Sequence, residues 1–311
     1  MKKEILYEMK SLYRDDFQIV GYRFGSGEKT VAIVGSMRGD EIQQLYVCSQ
    51  LVAALKTLET KGELDPDCSI LVIPSCNPFS MNVGKRFWAM DGTDINRMFP
   101  GFDKGETTQR IAAGIFKHLE GYKYGIQLAS SYIPGDYVPH VRMLRTGYEN
   151  TDVAKLFGFP YVSICAPSPF DTVLLNYNWQ VWGTSAFSVY AGPTSTIDRK
   201  SAMLTEKAVI RFLKRIEVFH KPVKDVGFDS VILDEDNLVR ISAKRAGLYC
   251  SHTNAGDFVE KGAVIASITD PHDGSLLEQV ICPMSGYVFY NYVKPLVFQN
   301  SLIFMFVPVD D

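Results

Sequence analysis

An α/β domain over residues 1–225, with helices flanking a mixed sheet, followed by a small all-β domain over 226–311, is the fold the sequence predicts. Up to about residue 220, short apolar runs alternate with segments of helical periodicity, a pattern that implies a mixed or largely parallel sheet covered on both faces. From "FHKPVKD" onward the helical period is gone, and strand-like pieces follow one another between turn signals such as "NAGD", "EKGA" and "PHDG". A chain of 311 residues, 46% hydrophobic and 22% charged, has enough apolar material for one medium and one small core.

In chain order, 17–24 and 30–35 read as strands, the second carrying the apolar run Val31, Ile33 and Val34. Ile42, Leu45, Cys48, Leu51, Val52 and Leu55 then recur at helical spacing, so 41–58 reads as an amphipathic helix. Residues 69–75 form the next strand. The stretch 76–105 has little period and many Asn, Gly, Asp and Pro residues, and a loop that long is uncommon unless it carries function. Helices are expected at 106–120 and 199–217, and strands at 124–129, 138–144, 160–165 and 185–191. The later strand candidates are "LVRISA", "GLYCSH", "AVIASITD", "EQVICP", "GYVFYNY" and "SLIFMFV".

Several function classes are excluded early. No apolar run is long enough to span a bilayer, and "MKKEILYEMK" has no signal core, which points to the cytoplasm and to no membrane partner. A formal net charge of -3 gives no reason to expect nucleic acid. The six cysteines lack CxxC pairing and read as reduced, mostly buried small hydrophobes. Ser130 and Ser131 have no Gly-x-Ser-x-Gly elbow around them, and "GSGEK" lacks the lysine-serine ending of a phosphate loop. "NAGDFVEKGAVI" is similar to a hairpin of biotinyl and lipoyl carrier domains, but "CPMSGYV" offers no lysine to modify.

The chemistry-bearing residues gather in two places. "GSMRGDE", at the strand-to-helix turn, packs Arg38, Asp40 and Glu41 into a position favoured for sites in α/β proteins. "NPFSMNVGKRFWAMDGTDINRMFPG", residues 77–101, holds Arg86, Asn96 and Arg97. Taken alone, those three could simply satisfy loop carbonyls and pair with Asp91 or Asp94.

This second segment, with Asn-Pro, Arg-Phe and Asp-x-Asn-Arg-x-Phe-Pro-Gly, resembles the substrate loop of the succinylglutamate desuccinylase/aspartoacylase family, a branch of the zinc carboxypeptidase superfamily. The resemblance extends along nearly the whole chain and implies a zinc-carboxypeptidase-like fold. It also implies a zinc ion on two histidines and a glutamate, with an open position for the attacking water. The ligand positions fall on Arg38, Glu41 and Ala129, so only Glu41 keeps a ligating side chain. The general base falls on Tyr190, whose ordinary pKa of about 10 suits it poorly to the task near neutrality.

Arg86, Asn96 and Arg97 match the residues that hold a substrate carboxylate and polarise the scissile carbonyl, Arg86 being the one expected beside the reacting bond. Arg38 is either a solvated arginine beside Asp40 and Glu41 at the helix start, or lies over the vacated metal position, paired with Glu41 and adding to a positive pocket for a dianionic or bulky acidic ligand. His140, with Asp40 and Glu41, is the fallback ligand set. His118, His220, His252 and His272 read as surface residues. The resemblance therefore leaves two functions: a zinc-free relative that binds a small carboxylate-bearing molecule, such as an N-acyl amino acid or short peptide, with no cofactor; or an active amidohydrolase holding zinc through atypical ligands.

Overall fold

A computed structural model describes residues 1–222 and 224–309, so Val223, inside the expected domain boundary, lies outside the described residues. The first part of the chain runs β1 (Lys2–Met9), β2 (Phe17–Phe24), β3 (Glu28–Ser36), α1 (Ile42–Thr60), β4 (Cys68–Ser75), α2 (Pro78–Asn82), α3 (Thr107–Leu119) and β5 (Tyr124–Ala129). It continues with β6 (Gly135–Tyr137), β7 (His140–Leu144), α4 (Thr151–Ala154), β8 (Tyr161–Cys165), α5 (Leu175–Val181), β9 (Ser185–Tyr190), α6 (Arg199–Arg215) and β10 (Val231–Asp234). The rest is β11 (Val239–Ser242), β12 (Gly247–Ser251), β13 (Phe258–Val259), β14 (Val264–Thr269), β15 (Leu276–Ile281), β16 (Gly286–Tyr292), β17 (Leu296–Val297) and β18 (Leu302–Pro308).

Contacts divide the chain into two compact units, Met1–Ser130 with Val141–Ile232, and Ser131–His140 with Leu233–Asp311. The first is built on a nine-stranded sheet in the order β1-β2-β4-β3-β5-β9-β7-β8-β10. Strands β4, β3, β5 and β9 run parallel, and β2 runs antiparallel to both β1 and β4.

Both faces of the central strands are apolar, as a parallel sheet covered twice requires. Val31, Ile33, Ile70 and Val72 join one core with Val47, Leu51 and Leu55 of α1 and Val209 and Phe212 of α6. Their neighbours Ala32, Val34, Leu71 and Ile73 point the other way, into a second core with Ile111 and Ile115 of α3 and Trp179 of α5. Asp198 caps α6, accepting from the Lys200 and Ser201 amides, and Glu106 with Gln109 forms a capping box at α3. Gly125 is required under α5, because a Cβ there would stand 2.7 Å from the Trp179 ring.

The second unit pairs two antiparallel sheets, β11-β18-β16-β13 with β6 added to β16, and β15-β14-β12-β17. Tyr249, Ile265, Ile268, Val288, Phe304 and Phe306 fill the core between them. The strand expected over 138–144 is found as His140–Leu144 and joins the large sheet. A separate short strand that was not expected, Gly135–Tyr137, pairs with Tyr290–Tyr292 in the second unit. Neither β1 nor α5 is expected from period alone: β1 is an edge strand whose charged residues face solvent, and α5 is two turns long. The 76–105 segment is mostly loop, interrupted by α2 and a 3-10 turn at Ile95–Arg97.

Among the described residues no helix is long and apolar enough to cross a membrane. All six cysteines are free, with Cys48, Cys76, Cys165 and Cys282 buried, Cys68 half-buried and Cys250 exposed. Burial pushes the Cys48 thiol up to about 12, so it stays protonated and unreactive. His118 is half-buried rather than at the surface, while His220, His252 and His272 are exposed.

Candidate functional site

The carboxyl ends of the parallel strands β3, β5 and β9 converge in the first unit, which is where α/β sheets place their ligands. β3 ends at Ser36, and the tight turn Met37–Glu41 leads into α1. In that turn Glu41 is 1% exposed and accepts four hydrogen bonds. The Met37 and Arg38 amides donate to Oε2 at 2.7 and 2.9 Å, and Arg38 Nη1 and Ser130 Oγ donate to Oε1 at 3.0 and 2.6 Å. Its lone-pair directions are spent inside the protein.

Arg38, only 4% exposed, also reaches across to the 76–105 loop: Nε and Nη2 donate to Asp94 Oδ2 at 3.1 and 2.9 Å. Asp94 Oδ1 in turn caps the 3-10 turn by accepting from the Asn96 amide at 3.0 Å. One guanidinium therefore ties the β3–α1 turn to the turn that carries Asn96 and Arg97. Asn96 Oδ1 accepts from Gln127 Nε2 of β5 at 3.3 Å, and Arg97 Nη1 donates to the Phe170 carbonyl at 3.0 Å, with Nε 3.9 Å from Asp94.

Arg86 is brought to the same turn by the backbone. The Gly39 amide donates to its carbonyl at 2.9 Å, and its Nη1 donates to Asp40 Oδ2 at 2.7 Å, with Nη2 at 3.5 Å from Ser130 Oγ. Gly39 is required by this approach, since a Cβ would stand 2.3 Å from the Lys85 carbonyl oxygen. Tyr190, half-buried at the end of β9, is the register partner of Ala129 at the end of β5.

Arg38, Arg86 and Arg97 stand against Asp40, Glu41 and Asp94. The formal charges of these six side chains cancel, the carboxylates of the turns supplying the compensation. The sequence reading missed Ser130 as a partner of Glu41, and Gln127 and the Phe170 carbonyl as partners of the loop residues. Only the spacing Asp94-x-Asn96 carried a local signal, that of a side-chain cap.

Residues 27–216 match the family described as the Succinylglutamate desuccinylase/Aspartoacylase catalytic domain. The chain belongs to this family. A curated relative, N-alpha-acetyl-L-2,4-diaminobutyric acid deacetylase of Halomonas elongata, is 24% identical over 259 residues, which is 78% of this chain and 70% of that protein. Among solved structures, a succinylglutamate desuccinylase from Silicibacter superposes with a TM-score of 0.81 at 16% identity, covering 99% of this chain and 93% of the other. The product-bound ectoine utilization protein EutE (DoeB) of Ruegeria pomeroyi gives 0.78 at 17%, covering 94% and 90%. The zinc-carboxypeptidase-like fold of this desuccinylase/aspartoacylase member is thereby established.

The side chains present do not fit the zinc ion that the family resemblance implies. Where a histidine is expected, Arg38 inserts a buried cation, and where the second is expected, Ala129 offers a methyl group. Among the described residues no three His, Cys, Asp or Glu side chains are grouped to hold a metal ion. Two of the fallback ligands are engaged otherwise: Glu41 is turned to Arg38, and His140, buried in the second unit, has Nδ1 2.8 Å from the Val138 carbonyl and its ring against Phe289. Asp40 turns Oδ2 to Arg86, while its buried Oδ1 has no hydrogen-bond partner, and one carboxylate oxygen does not make a metal site. Nearby, burial first and the charge of Glu41 second push the Cys76 thiol up.

Proposed function

We propose that this member of the deacylase family binds a small carboxylate-bearing molecule, an N-acyl amino acid or short peptide, in the cleft of the first unit and does not hydrolyse it through zinc. The observation that carries the reading is the Arg38 guanidinium, buried between Glu41 and Asp94. A fixed monocation in that position repels a dication and uses up the one surviving ligand, so the Lewis acid and its activated water are lost together.

The grip is retained in Arg86, Asn96 and Arg97. Arginine suits carboxylate recognition because its planar fork offers two parallel hydrogen bonds, and charge-assisted bonds of this kind contribute about 1.5–3 kcal/mol each. With the site's own charges cancelling, a ligand carboxylate competes with Asp40 for Arg86 or with the Phe170 carbonyl for Arg97. That favours a small monoanion over a dianion. Calorimetric titration of N-acetyl amino acids tests the reading: Arg97→Ala should weaken binding roughly tenfold to a hundredfold, with Arg97→Lys recovering part of it. Binding that ignores Arg97 overturns it.

A second reading is supported by the curated deacetylase relative: an active amidohydrolase whose metal is held in an atypical way. Zinc-dependent release of free amine from an N-acyl amino acid by the unmodified chain would favour it over the first.

A further inference from the structure

We propose that the groove between α1 and α6 is a second ligand site, independent of the cleft, that takes a free aliphatic carboxylate of the fatty-acid type. The groove is open to solvent and offers about 660 Å³, within the range of about 300–1,000 Å³ typical of small-molecule pockets. Ala54 and Leu58 of α1 and Ile210 of α6, each half-buried, line its floor, and Lys207, Lys214 and Lys224 stand among its lining residues.

The charges at the groove are not balanced as those of the cleft are. Arg211 is satisfied by Asp225 at 2.6 Å, and Lys221 by Glu63 at 2.6 Å. The lining still carries Lys207, Lys214 and Lys224 in excess, with Glu206 among them, Asp225 near Lys207 and Glu63 near Lys214. Lysine stems extend an apolar floor while their ammonium groups stay at the water edge, so the lining accepts an alkyl chain below and an anion above. A bare inorganic anion would leave the floor unused, and a neutral lipid would leave the ammonium groups unused. The combination selects an amphipathic anion, and point-charge ammonium groups accept a carboxylate without demanding the bidentate geometry of an arginine fork.

The groove is also distant from the cleft along a rigid element. Ala54 and Leu58 lie 12 and 16 residues beyond Ile42, at which α1 leaves the site turn, or about 18–24 Å at 1.5 Å per residue. Occupancy of one does not require the other.

Titration calorimetry of the full chain with decanoate, below its micellar concentration, tests the proposal. Saturable binding at one site per chain is expected, weakened at least tenfold in the double variant Lys207→Gln/Lys214→Gln and unchanged in Arg97→Ala. Decanol and acetate should each bind at least tenfold more weakly than decanoate. Because Lys207 is exposed and Lys214 half-buried at the water edge of the groove, with neither in the core, the double variant should melt with the parent protein, so its loss of binding reads the site. Absence of saturable binding, equal affinity for decanol, or indifference to the lysine substitutions overturns the proposal. Loss of decanoate binding in Arg97→Ala does so as well, by moving the ligand to the cleft.

Discussion

Arg38 and Asp94 stand fifty-six positions apart and meet in a buried contact in which two guanidinium nitrogens share one carboxylate oxygen, at 3.1 and 2.9 Å. The same guanidinium holds Glu41 at 3.0 Å, so a single side chain fastens the α1 turn to the 76–105 loop.

Removing that cation should be severe. Arg38→Met keeps much of the volume but leaves Glu41 and Asp94 buried without their counter-charge, a loss of about 3–5 kcal/mol for breaking such a pair from one side. Urea unfolding monitored by circular dichroism should register it as a lower midpoint, with Arg38→Lys intermediate. An Arg38→Met protein as stable as the parent would contradict the fastening role.

The metal consequence is separable from stability. Zinc-loaded and then desalted parent protein should retain well under one equivalent by elemental analysis. The double variant Arg38→His/Ala129→His should approach about one per chain, because it restores three protein ligands around an open position. Appreciable amide hydrolysis should require Tyr190→Glu in addition, since the tyrosine cannot act as a carboxylate base near neutrality. A full equivalent of zinc on the parent chain would refute the misfit of its ligand positions.

Gly39 sits where two backbones touch, and its replacement should disturb the loop directly. A Cβ there would lie 2.6 Å from the Met81 amide nitrogen as well as 2.3 Å from the Lys85 oxygen, and backbone cannot step aside as a flexible side chain can. Gly39→Ala should cost about 1–3 kcal/mol by overpacking and weaken ligand binding by displacing Arg86. Thermal melts and the same titrations would expose any tolerance of the change.

Acid should act on the edge of the large sheet. Arg23 hydrogen-bonds Glu4 at 3.2–3.3 Å and holds its carboxyl below the usual range, with the Tyr122 hydroxyl on the far side of the guanidinium at 2.7 Å. A folded pKa below the unfolded one means stability that is fully present above the ordinary glutamate value of about 4.3 and is lost as pH falls through the depressed value. Glu4→Gln should therefore cost at most about 1 kcal/mol at neutral pH, the exposed side of the pair being screened. The difference from the parent should vanish once the solution is taken below that depressed value. A gap that widens in acid would reverse the sign of this argument.

The sequence by itself determined what repeats over short distances. Backbone geometry imposes a period of 3.6 or 2 on any segment that buries one face or both, so α1, α3, α6 and the central strands could be read from their apolar spacing. The Arg38–Glu41 contact was legible only through the family resemblance, which sets both residues at ligand positions, and the sequence left it as one of two alternatives. The Asp94-x-Asn96-Arg97 motif, whose spacing carries that resemblance, was legible too.

Only the tertiary structure decided who meets whom across long separations. Asp94 completes the charge of Arg38, Ser130 donates to Glu41 from 89 positions away, and Gly135–Tyr137 leaves its neighbours to pair with β16. No local pattern specifies such partners. A charge or a strand edge taken out of water must find its complement among whatever the packed core brings within reach.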